Sequence, residues 1–112
     1  MYTVYGIKNC NTVKKALDFL NQNQIEYTFH DYKKSGIELS KIEEWLTQYP
    51  WEDLVNKKGT TWKQIPESER PVNQQEAIDL MLSKTSVIKR PIVESNQIKA
   101  LGFNEDEYLK LK

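Results

Sequence analysis

The sequence predicts an α/β protein: a mixed four-stranded sheet with a helical insertion after its first strand–helix–strand unit. Three observations carry that reading. A β-branched and aromatic run, Tyr2 to Tyr5, ends at Gly6, and the helical periodicity of Val13, Ala16, Leu17 and Leu20 follows it. A second run, Ile25 to Asp31, alternates apolar and polar residues. After a helical middle, short strand-like segments reappear on either side of Pro91 and end at Gly102.

Taken in order, the first strand passes through a polar turn, Ile7 to Asn11, into the first helix. Asn9 and Asn11 are both suitable N-caps for it. Strand two sets Ile25, Tyr27 and Phe29 against Glu26, Thr28 and His30. Two strands joined through a helix of roughly a dozen residues should pair in parallel. In the middle, Ser40-x-x-Glu43 reads as a capping box before Ile42, Trp45, Leu46 and Tyr49, and Pro50 stops that helix. Trp51 to Lys58 is a short amphipathic piece broken by Gly59 and Thr60-Thr61-Trp62. Asn73-x-x-Glu76 opens another helix, with Ala77, Leu80 and Met81 inward.

Val87-Ile88 and Ile92-Val93 then read as strand-like runs joined at Pro91. Asn96 and Gln97 suggest a hairpin turn, Ile98 to Leu101 returns, and Asn104 caps a last helix bearing Tyr108, Leu109 and Leu111. With the insertion over about 38–84 removed, β-α-β followed by α-β-β-α is the thioredoxin-like layout, and 112 residues fit a single domain, 1–112.

Composition narrows the function. Sixteen basic and sixteen acidic residues balance, which argues against direct nucleic-acid or anionic-membrane binding. No apolar run approaches the ~20 residues of a membrane span, and the N-terminal stretch lacks the pattern of a secretory signal, so a cytoplasmic location is expected. One cysteine, Cys10, excludes an intrachain disulfide, and a single histidine, His30, leaves no metal site in prospect.

Cys10 lies where a strand ends and a helix begins. The free N–H groups and dipole of the first helical turn stabilise a thiolate there, and the same N–H groups can hold an oxyanion. Lys8 and Lys14 would act in the same direction if near the sulfur. A cysteine is often only a small apolar filler, but the polar flanks Asn9 and Asn11 argue against deep burial. Arg90, before Pro91, is the second candidate. A guanidinium turned towards Cys10 would favour the thiolate and clamp an anion with paired donors. His30 sits on the polar phase of its strand and is expected to be structural, and the three tryptophans to be core or cover.

Tyr5-Gly6-Ile7-Lys8-Asn9-Cys10-Asn11-Thr12-Val13-Lys14-Lys15-Ala16 resembles the opening of the arsenate reductase (ArsC) family, closest to its YffB- and Spx-containing branch. The resemblance continues through Phe29-His30-Asp31-Tyr32, Leu54 to Trp62, Ile88 to Ile92 and Gly102 to Tyr108, so it covers essentially the whole chain. It implies a thioredoxin fold with a helical insert, a nucleophilic cysteine at Cys10, and an arginine before a cis-proline at Arg90 and Pro91. It also implies glutathione with glutaredoxin as reductants, and no tightly bound cofactor. An oxyanion-binding arginine of the family is replaced within Asn56-Lys57-Lys58, where Lys57 supplies a point charge without the planar fork. A third arginine has no counterpart, Lys99 being the nearest base. Both departures argue against efficient arsenate reduction. The second cysteine of the Spx redox switch is replaced by Val13.

The leading expectation is therefore a glutathione-dependent thiol oxidoreductase acting on a small oxyanion or thiol substrate. In it Cys10 and Arg90 are catalytic, and Asn9, Asn11, Thr12, Lys57, Arg90 and Pro91 surround the anion. An Spx-like regulator that binds RNA polymerase without catalysis is the alternative, and a relative sharing only the fold is the third reading.

Overall fold

The computed structural model describes residues 1–112. The chain divides into two compact units, one of Met1–Ser35 with Arg90–Lys112, the other of Gly36–Lys89.

The first unit holds the sheet. Strand β1 (Tyr2–Gly6) leads into helix α1 (Asn11–Gln22) and strand β2 (Tyr27–Asp31). The strands β3 (Ile92–Ser95) and β4 (Gln97–Leu101) follow the insertion. Their order is β2-β1-β3-β4, with β1 parallel to β2 and antiparallel to β3, and β3 antiparallel to β4. The mixed four-stranded sheet is thus present as the residue pattern predicts. Only Asn96, at φ 66°, stands between β3 and β4, and a bulge interrupts their register at Val93/Glu94.

Val4, Val93 and Ala100 pack under Ala16 and Leu20 of α1 and under Tyr108 and Leu111 at the C-terminus. Tyr108 lies on the last helix, numbered α7 below (Glu105–Leu109), and its hydroxyl donates to the Gly102 carbonyl at 2.8 Å. Asn104 caps α7 as expected, accepting from the Glu107 N–H. Strand β2 begins two residues later than the alternation suggests, because Gln24 turns the chain at φ 57° and Ile25 is buried before the strand starts.

A single helical turn, α2 (Tyr32–Ser35), ends the first segment of this unit. The second unit is helical: α3 (Leu39–Leu46), α4 (Trp51–Leu54), α5 (Thr60–Gln64) and α6 (Gln74–Ser83), with two short 3₁₀ turns. Ile42, Trp45, Leu54, Ala77, Met81 and Val87 are buried in it. Backbone bonds from Asn56 N–H to Val87 and from Lys89 N–H to Leu54 close its ends together.

Four local expectations need correction. Helix α3 starts at Leu39 with Glu38 as its N-cap, so Ser40 lies inside the first turn and does not cap. Thr60-Thr61-Trp62 is not a break but the start of α5, and Gly59 is its N-cap residue. Val87-Ile88 is not a strand: it closes a 3₁₀ turn and makes one isolated antiparallel bridge, Val55 to Ile88. Neither Asn9 nor Asn11 caps α1, since the N-cap position is held by Cys10 itself. The Asn73 cap forms, accepting from Glu76 N–H, but the Glu76 carboxylate reaches back to the Val72 N–H rather than to Asn73. No helix is long and apolar enough to cross a membrane.

Candidate functional site around Cys10

Cys10 is placed by the ending of β1 and the opening of α1. Gly6 closes the strand where no side chain fits: a Cβ there would lie 2.9 Å from Cγ2 of the buried Val13. The chain turns through Ile7, Lys8 and Asn9, and Cys10 enters the N-cap position with extended backbone angles, φ −129° and ψ 120°. Its carbonyl accepts the Lys14 N–H at 2.9 Å, the first bond of the helix. That arrangement directs the unpaired N–H groups of the first turn towards its own side chain.

The thiol is half-buried. Burial alone raises its pKa, yet the net displacement is downward. A hydrogen bond from the Val13 N–H, the hydrogen bond and charge of Arg90, and a hydrogen bond from the Thr12 N–H together outweigh the burial. The guanidinium comes from the other end of the sheet unit. Arg90 stands before Pro91, joined to it by a cis peptide bond, and the Pro91 carbonyl accepts the Gly102 N–H at 2.8 Å. Pro91 is buried and Arg90 half-buried. Cys10, Arg90, Thr12 and Val13 are therefore one cluster. Of these Val13 was not expected from the sequence, although its amide sits at the third residue of the turn, where N-cap acceptors are regularly met.

The remaining candidates are placed differently. Asn9 and Asn11 flank the cysteine and are exposed. Lys57, in the helical unit, holds its ammonium over the rings of Trp51 and Trp62, 5.6 and 5.9 Å from their centroids, and Arg70 also covers Trp62 at 5.4 Å. His30 packs on Tyr5, their ring centroids 4.8 Å apart. No cluster of three or more His, Cys, Asp or Glu side chains is arranged to hold a metal ion.

A polar group behind Arg90 escaped the sequence reading. The Tyr5 hydroxyl donates to Glu94 Oε1 at 3.0 Å, and the Tyr5 ring stacks 6.2 Å from Tyr32. Burial pushes the Tyr32 hydroxyl well above its ordinary pKa. Tyr5 and Glu94 raise it further, while the charge of Arg90 acts in the opposite direction. These residues are close enough to share one electrostatic environment. Alternation along β1, with Val4 facing α1, is the signal that could have set Tyr5 on the other face with Glu94.

Comparison with known proteins agrees with this geometry. The sequence profile of the ArsC family matches residues 5–111. An uncharacterised protein of Haemophilus influenzae is 42% identical over 109 residues, 96% of either chain. The global transcriptional regulator Spx of Streptococcus mutans is 27% identical over 110 residues, 96% of this chain and 80% of the relative. Among solved structures, a YffB protein has a TM-score of 0.92 at 36% identity, covering 99% of this chain and 98% of that one. An arsenate reductase (ArsC) related protein from Brucella melitensis has a TM-score of 0.79 at 42% identity, covering 97% and 92%. A profile that spans the strand–cysteine turn, the insertion and Arg90-Pro91 together shows that the chain belongs to the ArsC family.

Proposed function

We propose that this protein is a glutathione-dependent thiol oxidoreductase, related to arsenate reductases, with Cys10 as nucleophile. The observation that carries the reading is the convergence of Arg90 and the Val13 and Thr12 N–H groups on one sulfur, whose pKa they lower. The thiolate attacks one sulfur of a disulfide substrate. A bond forms from Cys10 Sγ to that sulfur, the substrate S–S bond breaks, and the departing thiolate takes a proton from solvent. A glutathione thiolate then attacks the mixed disulfide and releases Cys10, and a second glutathione completes the two-electron reduction as glutathione disulfide forms. Arg90 holds the charge of the resting thiolate and of an anionic group approaching it. No tightly bound cofactor enters this scheme, which takes place in the cytoplasm, where glutathione is plentiful. Asn9, Asn11, Thr12, Lys57 and Pro91 remain the proposed surroundings of the anion.

Alkylation of Cys10 by iodoacetamide against pH tests the reading. The reading expects half-maximal rate below ~8.5, the free-cysteine value, and a mixed disulfide with glutathione detected by mass. A midpoint at or above the free value would remove it. Likeness to Spx over 96% of the chain supports a second reading, a regulator that contacts RNA polymerase and uses the fold as a surface. Full biological activity of a Cys10→Ser variant would favour that reading over catalysis.

A further inference from the structure

A groove of about 340 Å³ runs along α1 beside β2, wholly within the sheet unit. Its floor is apolar, formed by Val13, Leu17, Tyr27 and Phe29. Its charges are ordered along its length. Lys8 and Lys14 stand at the end nearest Cys10, while Asp18 and Asn21 stand one and two turns further along the helix. Lys14 and Asp18 lie four residues apart and make no ion pair with each other, and Lys8 makes none either, so these charges are left facing the groove. Val13 joins the two places, since its side chain lines the groove and its N–H meets the Cys10 sulfur.

The dimensions and charges select a ligand. From Lys14 to Asn21 the helix rises about 10 Å, the length of an extended tripeptide at about 3.5 Å per residue. The cationic end suits a terminal carboxylate, and Asp18 suits an ammonium at the other end. A residue one position in from that carboxylate would lie beside Val13, and therefore beside Cys10. We infer that this groove is the docking site for a short anionic peptide thiol of the glutathione class, carboxylate on Lys8 and Lys14 and ammonium towards Asp18. The inference rests on the thiol chemistry proposed for Cys10, because a thiol bound there has no other evident partner.

The test uses S-methylglutathione, which cannot exchange with Cys10, titrated into the full chain and followed by amide NMR. Saturable shifts at Lys8, Val13, Leu17, Tyr27 and Phe29 are expected. Lys14→Glu should weaken the apparent Kd about fivefold and Lys8→Gln about twofold, as exposed ion pairs allow, and added salt should weaken wild-type binding. Thermal melts of both variants check that each is folded. Shifts confined to other surfaces, or a Kd indifferent to Lys14→Glu and Lys8→Gln in folded protein, would overturn the assignment. Mixed-disulfide formation with oxidised glutathione is measured separately. Exchange retained without groove binding removes the docking site and spares the chemistry; groove binding with an inert Cys10 does the reverse.

Discussion

Gly6 and Val13 approach so closely that a Cβ on the glycine would stand 2.9 Å from Val13 Cγ2 and 3.3 Å from Cγ1. Val13 is 1% exposed and has nowhere to retreat. Because the Val13 N–H is also a donor to Cys10, the contact links the end of β1 to the electrostatics of the thiol. Gly6→Ala is expected to cost about 1–3 kcal/mol by overpacking and to slow Cys10 alkylation. Denaturant unfolding together with alkylation kinetics measures both. A variant as stable and as reactive as the parent would show that the helix start is free to shift.

Arg90 acts on Cys10 by a hydrogen bond and by its charge, both favouring the thiolate. Arg90→Ala should therefore move the alkylation midpoint to higher pH and lower the rate at neutrality. Arg90→Lys should fall between the two, restoring the charge without the fork. Equal midpoints for all three proteins would mean that the guanidinium does not govern the sulfur.

The same shift has a signature in stability. The folded-state pKa of Cys10 lies below its unfolded value, so its charged form stabilises the fold above the unfolded pKa. That contribution is lost as the pH falls through the folded pKa. The unfolding free energy of the wild type relative to Cys10→Ser is expected to rise from acidic to alkaline pH. Urea titrations at several pH values give the comparison, and a difference that declines with pH would reverse the assigned direction.

Helix caps allow a contrast between residues that look alike in sequence. Asn73 and Asn104 each accept a backbone N–H, from Glu76 at 2.9 Å and Glu107 at 3.1 Å. Either changed to alanine should cost about 1 kcal/mol. Ser40 caps nothing, so Ser40→Ala should fall within about 0.5 kcal/mol of neutral. Chemical denaturation of the three variants decides it.

What could be read from the residues was governed by period and punctuation. The two-residue period of Tyr27 and Phe29 against Thr28 and His30, and the helical stripe of Val13, Ala16 and Leu20, describe surfaces that do face the core of the sheet unit. Errors fell where short-range competition decides. Ser40 and Glu38 compete for one helix start, and Thr60 follows a glycine that serves as a cap rather than a stop. Val87-Ile88 has the β-branched composition of a strand, yet finds only one bridge partner in Val55.

At the candidate site, Cys10 and Arg90 were legible because each sits beside a strong local signal, a helix start and a proline. The Val13 amide was less so, since backbone donors carry no letter of their own. Tyr5, Tyr32 and Glu94 form a group only through the pairing of β1 with its neighbours β2 and β3. No local pattern announces a meeting between residues 89 positions apart.

The sheet unit is assembled from the two ends of the chain, Met1–Ser35 and Arg90–Lys112. On the ribosome the cysteine is made about 80 residues before its guanidinium. At about 5–20 residues per second, the nascent chain spends several seconds or more with that sulfur lacking its counter-ion. Reactivity of this thiol is thereby tied to completion of synthesis. A truncated product ending before Arg90 would carry the cysteine but not its activation, and β1 would be left without β3, the neighbour opposite β2.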